Sequence, residues 1–170
     1  MLDLSPLRLE LKPMRKEAIP KALEKAEKYR LLNEPAQAES ICHDILGVDP
    51  GQQQCLIILL LALTDQFDQG VPVNRPRELL PRLEGEYERA YYAGIICERK
   101  ARERLNRGGP GGGFAAYELL CDALHWYEQA EALRLPDNDD AALRWNACVR
   151  MIRDQHLKPR QEERIVLTSE

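Results

Sequence analysis

Cys121 and His125 lie four residues apart, the spacing that puts two metal ligands on one face of a helix. A tetrahedral site needs three or four ligands, and no second Cys/His pair stands nearby in the sequence. Cys42 and His43 are adjacent and point in different directions, and His156 stands apart. His125 reads as a partly exposed polar residue beside Trp126, and no metal is expected. The glycine run 108–113, GGPGGG, invites comparison with phosphate-binding loops. It has no following Lys-Ser or Lys-Thr and no preceding strand, so neither a P-loop nor a dinucleotide fingerprint is met. A mobile linker is the expectation. A cysteine nucleophile needs a histidine base that only the fold can place. No Ser/His/Asp signature, HExxH or EF-hand loop occurs, and the acid pair Asp139-Asp140 sits where a helix start favours negative charge. No catalytic or cofactor-binding residue is nominated, and a non-enzymatic role is expected.

The cluster Arg99, Lys100, Arg102, Arg104 and Arg107 is interrupted by Glu98 and Glu103. Glu98→Arg102 and Glu103→Arg107 are favourable i, i+4 pairs, so a solvated helix face accounts for the cluster. A docking stripe for an anionic peptide or RNA is the sharper alternative. The whole chain has 24 Lys+Arg against 28 Asp+Glu and a net charge of −4. Cutting at Gly85 leaves −2 on each side, with no basic arm. Nucleic-acid binding, which rests on clustered Lys and Arg against phosphates, is therefore not expected. The aromatics Tyr87, Tyr91, Tyr92, Trp126, Tyr127 and Trp145 fall at helical spacings and read mainly as core.

The elements that must position these residues are helices. The chain has 170 residues, 44% of them hydrophobic, enough for one packed domain. Residues 1–17 read as an extended arm of near-alternating leucines interrupted by Pro6 and Pro13. Residues 18–156 read as an all-α domain with loops at 67–75 and 108–113, followed by a tail, 157–170. Helices are expected over 18–32, 35–46, 51–66, 86–106, 114–135 and 139–156, with one short helix starting at Asn74. Gly47 and Pro50 should close the second, and Asp137 or Asn138 should cap the last. The run Cys55–Leu63, CLIILLLAL, has no polar side and must be covered on more than one face, so its helix belongs at the centre. Nine apolar residues fall far short of the roughly 20 that cross a membrane. Five scattered cysteines without a CxxC pair fit small core residues in a reducing cytoplasm.

An internal period organises these helices. Ala26, then Tyr29, then Ala38, Cys42, Ile45 and Pro50 make one unit. Shifting by 34 residues carries Ala22, Ala26 and Tyr29 onto Leu56, Leu60 and Leu63, in phase with the apolar run. Ala123, Tyr127 and Ala130 repeat the second-helix pattern, with Gly94 among the small residues of the preceding helix and Pro136 after the unit. This pattern resembles the tetratricopeptide repeat (TPR) family in divergent form, with two to three repeats. The middle unit departs from it, because 67–85 holds a loop and Pro81, and Cys42 stands where an aromatic is usual.

The resemblance implies antiparallel helical hairpins stacked as a short right-handed superhelix, with a concave groove made by the first helix of each pair. It implies a protein–protein interaction module or scaffold that holds a partner's peptide segment. Its groove-facing phase falls on Leu23, Glu27 and Arg30, then on Ile57, Leu61 and Thr64, then on Tyr91, Ile95 and Glu98. Leu23 and Glu27 stand where the carboxylate-clamping members carry Lys and Asn, so the expected ligand is an amphipathic or mildly basic segment. Self-association is plausible, since short repeat stacks expose apolar ends. The Trp145 helix should cap one end and the leucine arm the other. A helical-repeat RNA binder and an accessory subunit of an enzyme complex are the alternatives.

Overall fold

The computed structural model describes residues 9–161. Seven α-helices follow one another: α1 (Ile19–Leu31), α2 (Pro35–Val48), α3 (Gln53–Thr64), the single turn α4 (Asn74–Arg77), α5 (Glu86–Arg107), α6 (Gly112–Leu133) and α7 (Asp140–Asp154). No strand occurs among the described residues, which are all-α.

Local chemistry sets the boundaries. Pro20 and Pro35 stand in the first turns of α1 and α2, where a missing N–H costs no helical bond. Asn33 adopts a left-handed φ of 59° and reverses the chain after α1. The Asn33 N–H then donates to the Arg30 carbonyl and the Glu34 N–H to the Tyr29 carbonyl, the paired bonds of a Schellman cap. His156 closes α7 the same way at φ 51°, with the Leu157 N–H donating to the Ile152 carbonyl. Gly47 does not stop α2; it lies inside the helix, exposed, and Asp49 ends the element instead. The start of α3 is set by Gln52, whose side-chain oxygen accepts the Cys55 N–H at 2.7 Å. Gly112 and Gly113 belong to α6, so the glycine connector shrinks to 108–111. Asn138 holds the start of α7 by accepting the Asp140 N–H at 3.0 Å.

Consecutive helices pack in pairs: α1 on α2, α2 on α3, α5 on α6, and α6 on α7. Two cores result. The first gathers Ala26, Cys42, Ile45, Leu56, Leu60 and Leu63 around α3, eight of whose twelve residues are buried, so it is the central element of this half. The second gathers Ala101, Ala116, Leu120, Ala123, Tyr127 and Ala130 between α5 and α6, with Ala141 and Cys148 from α7. Leu61 and Tyr92 pack against both. Ala26, Ala38, Leu60 and Ala123 are fully buried, as small or interlocking residues between helices must be.

Where a second helix of the middle unit is expected, the chain instead makes a turn at Phe67–Gln69, then α4, then a turn at Leu80–Arg82. Phe67, Pro76, Leu79 and Leu83 are buried there, so the interval from 67 to 85 is a folded plug. Glu39 of α2 anchors it: its carboxylate accepts from Arg75 at 2.7 Å and from Gln66 at 2.8 Å. Burial alone would raise the Glu39 pKa, but the bonds from Arg75, Gln66 and His43 outweigh it and hold the carboxyl below its ordinary value.

The leucine arm does not cap the stack through its described leucines. Leu9 and Leu11 face solvent, and Met14 is the arm residue that packs on the first core. Leu2, Leu4 and Leu7, and the apolar triplet Ile165–Leu167, lie outside the described residues.

Candidate functional site

Three elements, α1, α3 and α5, carry the residues singled out by phase, and one carboxylate joins them. Asp65, just past the end of α3, accepts from Arg30 Nε of α1 at 2.6 Å and from Arg99 Nη1 of α5 at 2.5 Å. Arg99 Nη1 also donates to Thr64 Oγ1 at 2.8 Å. Burial pulls the Arg99 pKa down, and the Asp65 charge works against that shift.

A second carboxylate, on α5 next to Arg99, is buried where α5, α6 and α7 meet. Glu98 is 2% exposed and accepts the Tyr127 hydroxyl proton at 2.6 Å. Its other oxygen takes Arg102 Nη2 at 2.9 Å and lies 3.2 Å from Arg144 Nη2. Helices α5, α6 and α7 are thereby tied to one charge. Burial, then the Glu98 charge and its hydrogen bond, push the Tyr127 hydroxyl far above its ordinary pKa. The Cys148 thiol is pushed up to about 12 by burial and then by Glu98.

A third carboxylate, Glu103, lies between Lys100 at 2.8 Å and Arg107. Burial would raise its pKa, and the two cations overcome that and lower it. Lys100 also sits 5.3 Å from the centre of the Phe67 ring. Of the basic cluster, Arg99, Lys100, Arg102 and Arg107 are therefore all engaged with acids. An open pocket of about 290 Å³ runs past these groups, lined by Thr64, Asp65, Asp68, Arg99, Arg102 and Glu103 among others.

Beside the charged network runs a tyrosine ladder. Tyr87 and Tyr91 stack with ring centres 5.7 Å apart, Tyr92 meets Tyr91 edge-on at 5.1 Å, and Tyr127 lies 5.9 Å from Tyr91. Burial, then the charge of Asp140, pushes Tyr91 up to about 12.

The nominated groove residues divide by burial. Leu23, Thr64, Ile95 and Glu98 lie beneath the surface, because their helices pack more closely than an open groove requires. Glu27 is exposed, and Arg30, Ile57, Leu61 and Tyr91 are partly accessible. Among the repeat positions, Ala26, Ala38, Cys42, Ile45, Leu60, Gly94, Ala123, Tyr127 and Ala130 are buried, and Pro50 is exposed in the turn after α2. Tyr29 is half-buried. It borders an open pocket of about 200 Å³ with Lys25, Lys28 and Leu32. Asp65 and Arg144 escaped the sequence reading, since their partners lie 34 residues and more away; an acid just beyond an apolar helix was the available signal for Asp65.

All five cysteines are unpaired in disulfides, and all but Cys121 are buried. Burial pushes the Cys97 thiol up; Cys42 is pushed up by its contact with Cys55 and then by burial. His125 meets Gln129 at 2.7 Å and Trp126, and no group of three or more metal-ligating side chains converges among the described residues. No helix among them is long and apolar enough to cross a membrane. No family model, curated protein or solved structure matches this chain.

Proposed function

We propose that this chain is a non-enzymatic, TPR-like interaction module that holds an extended peptide segment of a partner protein across the face shared by α1, α3 and α5. The observation that carries the reading is the burial of Ala26, Ala38, Leu60 and Ala123 between successive antiparallel helices, the packing a stacked-hairpin superhelix needs. Such a stack leaves the first helix of each pair with one face toward solvent. Here that face carries Glu27, Arg30, Leu61 and Tyr91, a mixture of aromatic, apolar and charged groups suited to a polypeptide. Rigid aromatics offer contact area at low entropic cost, and Tyr91 is held on both sides by its ring neighbours.

Selection of a random peptide library on the full chain tests this. Enriched peptides should bind Tyr91→Ala at least about tenfold more weakly, the scale of one lost anchor. Undiminished binding to that variant, or no enrichment at all, overturns the reading.

A further inference from the structure

We infer that the segment held on this face is acidic, its side-chain carboxylates entering between the Arg30/Arg99 pair and the Arg102/Arg144 pair; this rests on the reading of the face as a peptide-holding surface. The charge arrangement departs from the amphipathic or mildly basic ligand expected from Leu23 and Glu27. Leu23 is buried, and the charges that surround the face come from farther along the chain.

Each structural carboxylate here stands between two cations. Arg30 and Arg99 share Asp65, Arg102 and Arg144 share Glu98, and Lys100 and Arg107 share Glu103. Six cations meet three anions, and the exposed Asp68 on the pocket wall and Glu27 on the adjoining face bring the local balance to +1. The whole chain carries −4, so this surface is more positive than the chain as a whole. The arginines are also only half used. Among the described residues, Arg30 makes its side-chain contact through Nε alone, Arg99 through Nη1 alone and Arg102 through Nη2 alone. A guanidinium has five N–H donors in a fork matched to a carboxylate. The Arg144 Nε is buried without a partner. The forks are held in place by Asp65 and Glu98, so little side-chain freedom remains to be lost when a ligand binds.

The same interleaving argues against a polyphosphate chain. A nucleic-acid backbone carries charge at every step and would meet Asp65, Asp68 and Glu103 between the cations. A peptide can space its carboxylates, place an apolar side chain against Leu61 and Tyr91, and offer amide N–H groups to the acids.

Fluorescence anisotropy on the full chain tests the inference with three labelled probes. They are a short peptide of alternating glutamate and leucine, its counterpart with lysine for glutamate, and an oligouridylate of matching length. The glutamate peptide should bind about tenfold tighter than the lysine peptide at low salt and lose most of that advantage at high salt. Arg102→Gln, which leaves Glu98 its bonds to Tyr127 and Arg144, should weaken it about fivefold or more. Asp68→Lys should strengthen it about threefold, a gain that misfolding cannot mimic. Arg134→Gln, at the far end of α6, should change nothing. Equal binding of the two peptides, tighter binding of the oligouridylate, or no response to Asp68→Lys overturns the acidic assignment. If the lysine peptide binds and Tyr91→Ala abolishes it, the peptide-holding face stands while its acidic preference falls. If neither peptide binds, the acidic assignment falls, and the library selection judges the face separately.

Discussion

Tyr127 donates its hydroxyl proton to Glu98 inside an alanine-rich core, and that one bond joins the repeat pattern to the charge network. A buried carboxylate is tolerable only when its lone pairs are filled, and Glu98 fills them from three helices. Tyr127→Phe removes one donor and leaves both arginines, so it should cost about 1–3 kcal/mol of unfolding free energy, read from urea titration. The tyrosines also set an alkaline limit. An unfolded tyrosine titrates near about 10, whereas Tyr91 in the fold holds its proton to about 12 and Tyr127 longer. Above pH ~10 the unfolded chain releases protons that the folded chain keeps, which favours unfolding. Stability is complete below that value and is lost as pH rises toward about 12. The urea midpoint should therefore fall between pH 10 and 12, and Tyr91→Phe should show a shallower fall. A midpoint flat across that interval contradicts the assignment of these hydroxyls to the interior.

At the scale of elements, α5 and α6 are each 22 residues and make a hairpin arm about 33 Å long. Their close approach depends on Gly94: a Cβ there would stand 2.5 Å from the Tyr127 ring. Gly94→Ala gains about 1 kcal/mol of helix propensity but must push a buried ring aside. The net expectation is a loss of about 1–3 kcal/mol, and calorimetry should show a lower Tm rather than the rise that an open helix surface would give. The small residues of this hairpin were legible in the sequence, because close-packed helices demand them at a fixed spacing. The plug at 67–85 was not. Pro72, Pro76 and Pro81 rule out a long second helix there, yet no local rule says that Phe67, Leu79 and Leu83 will turn inward onto α3. Only the apolar flank of α3, which would face solvent without them, makes that burial favourable.

The whole molecule is two cores meeting along α3 and α5, and Asp65 is the charge that spans the seam. Asp65→Asn leaves Arg30 and Arg99 without their shared counter-ion and should loosen the first core from the second. Both tryptophans, Trp126 and Trp145, lie in α6 and α7, so their fluorescence follows the second core while far-UV circular dichroism follows every helix. The two probes should give one urea midpoint in the native chain. In Asp65→Asn the dichroism midpoint should come first, and coincident midpoints in that variant exclude a role for Asp65 in coupling the halves.

Helix number, helix order and the buried small residues follow from the sequence alone, because proline, glycine and apolar periodicity act over a few residues and act the same way in any context. The identity of the accessible face does not. Leu23, Thr64, Ile95 and Glu98 carry the right phase and are nevertheless covered, whereas Asp65, at the end of α3, and Arg144, in α7, come to the surface network from far away in the chain. Phase specifies a direction around one helix; what fills that direction depends on how near the next helix lies. Charge sharing has the same origin, since a carboxylate placed between two arginines from different helices exists only after those helices have packed.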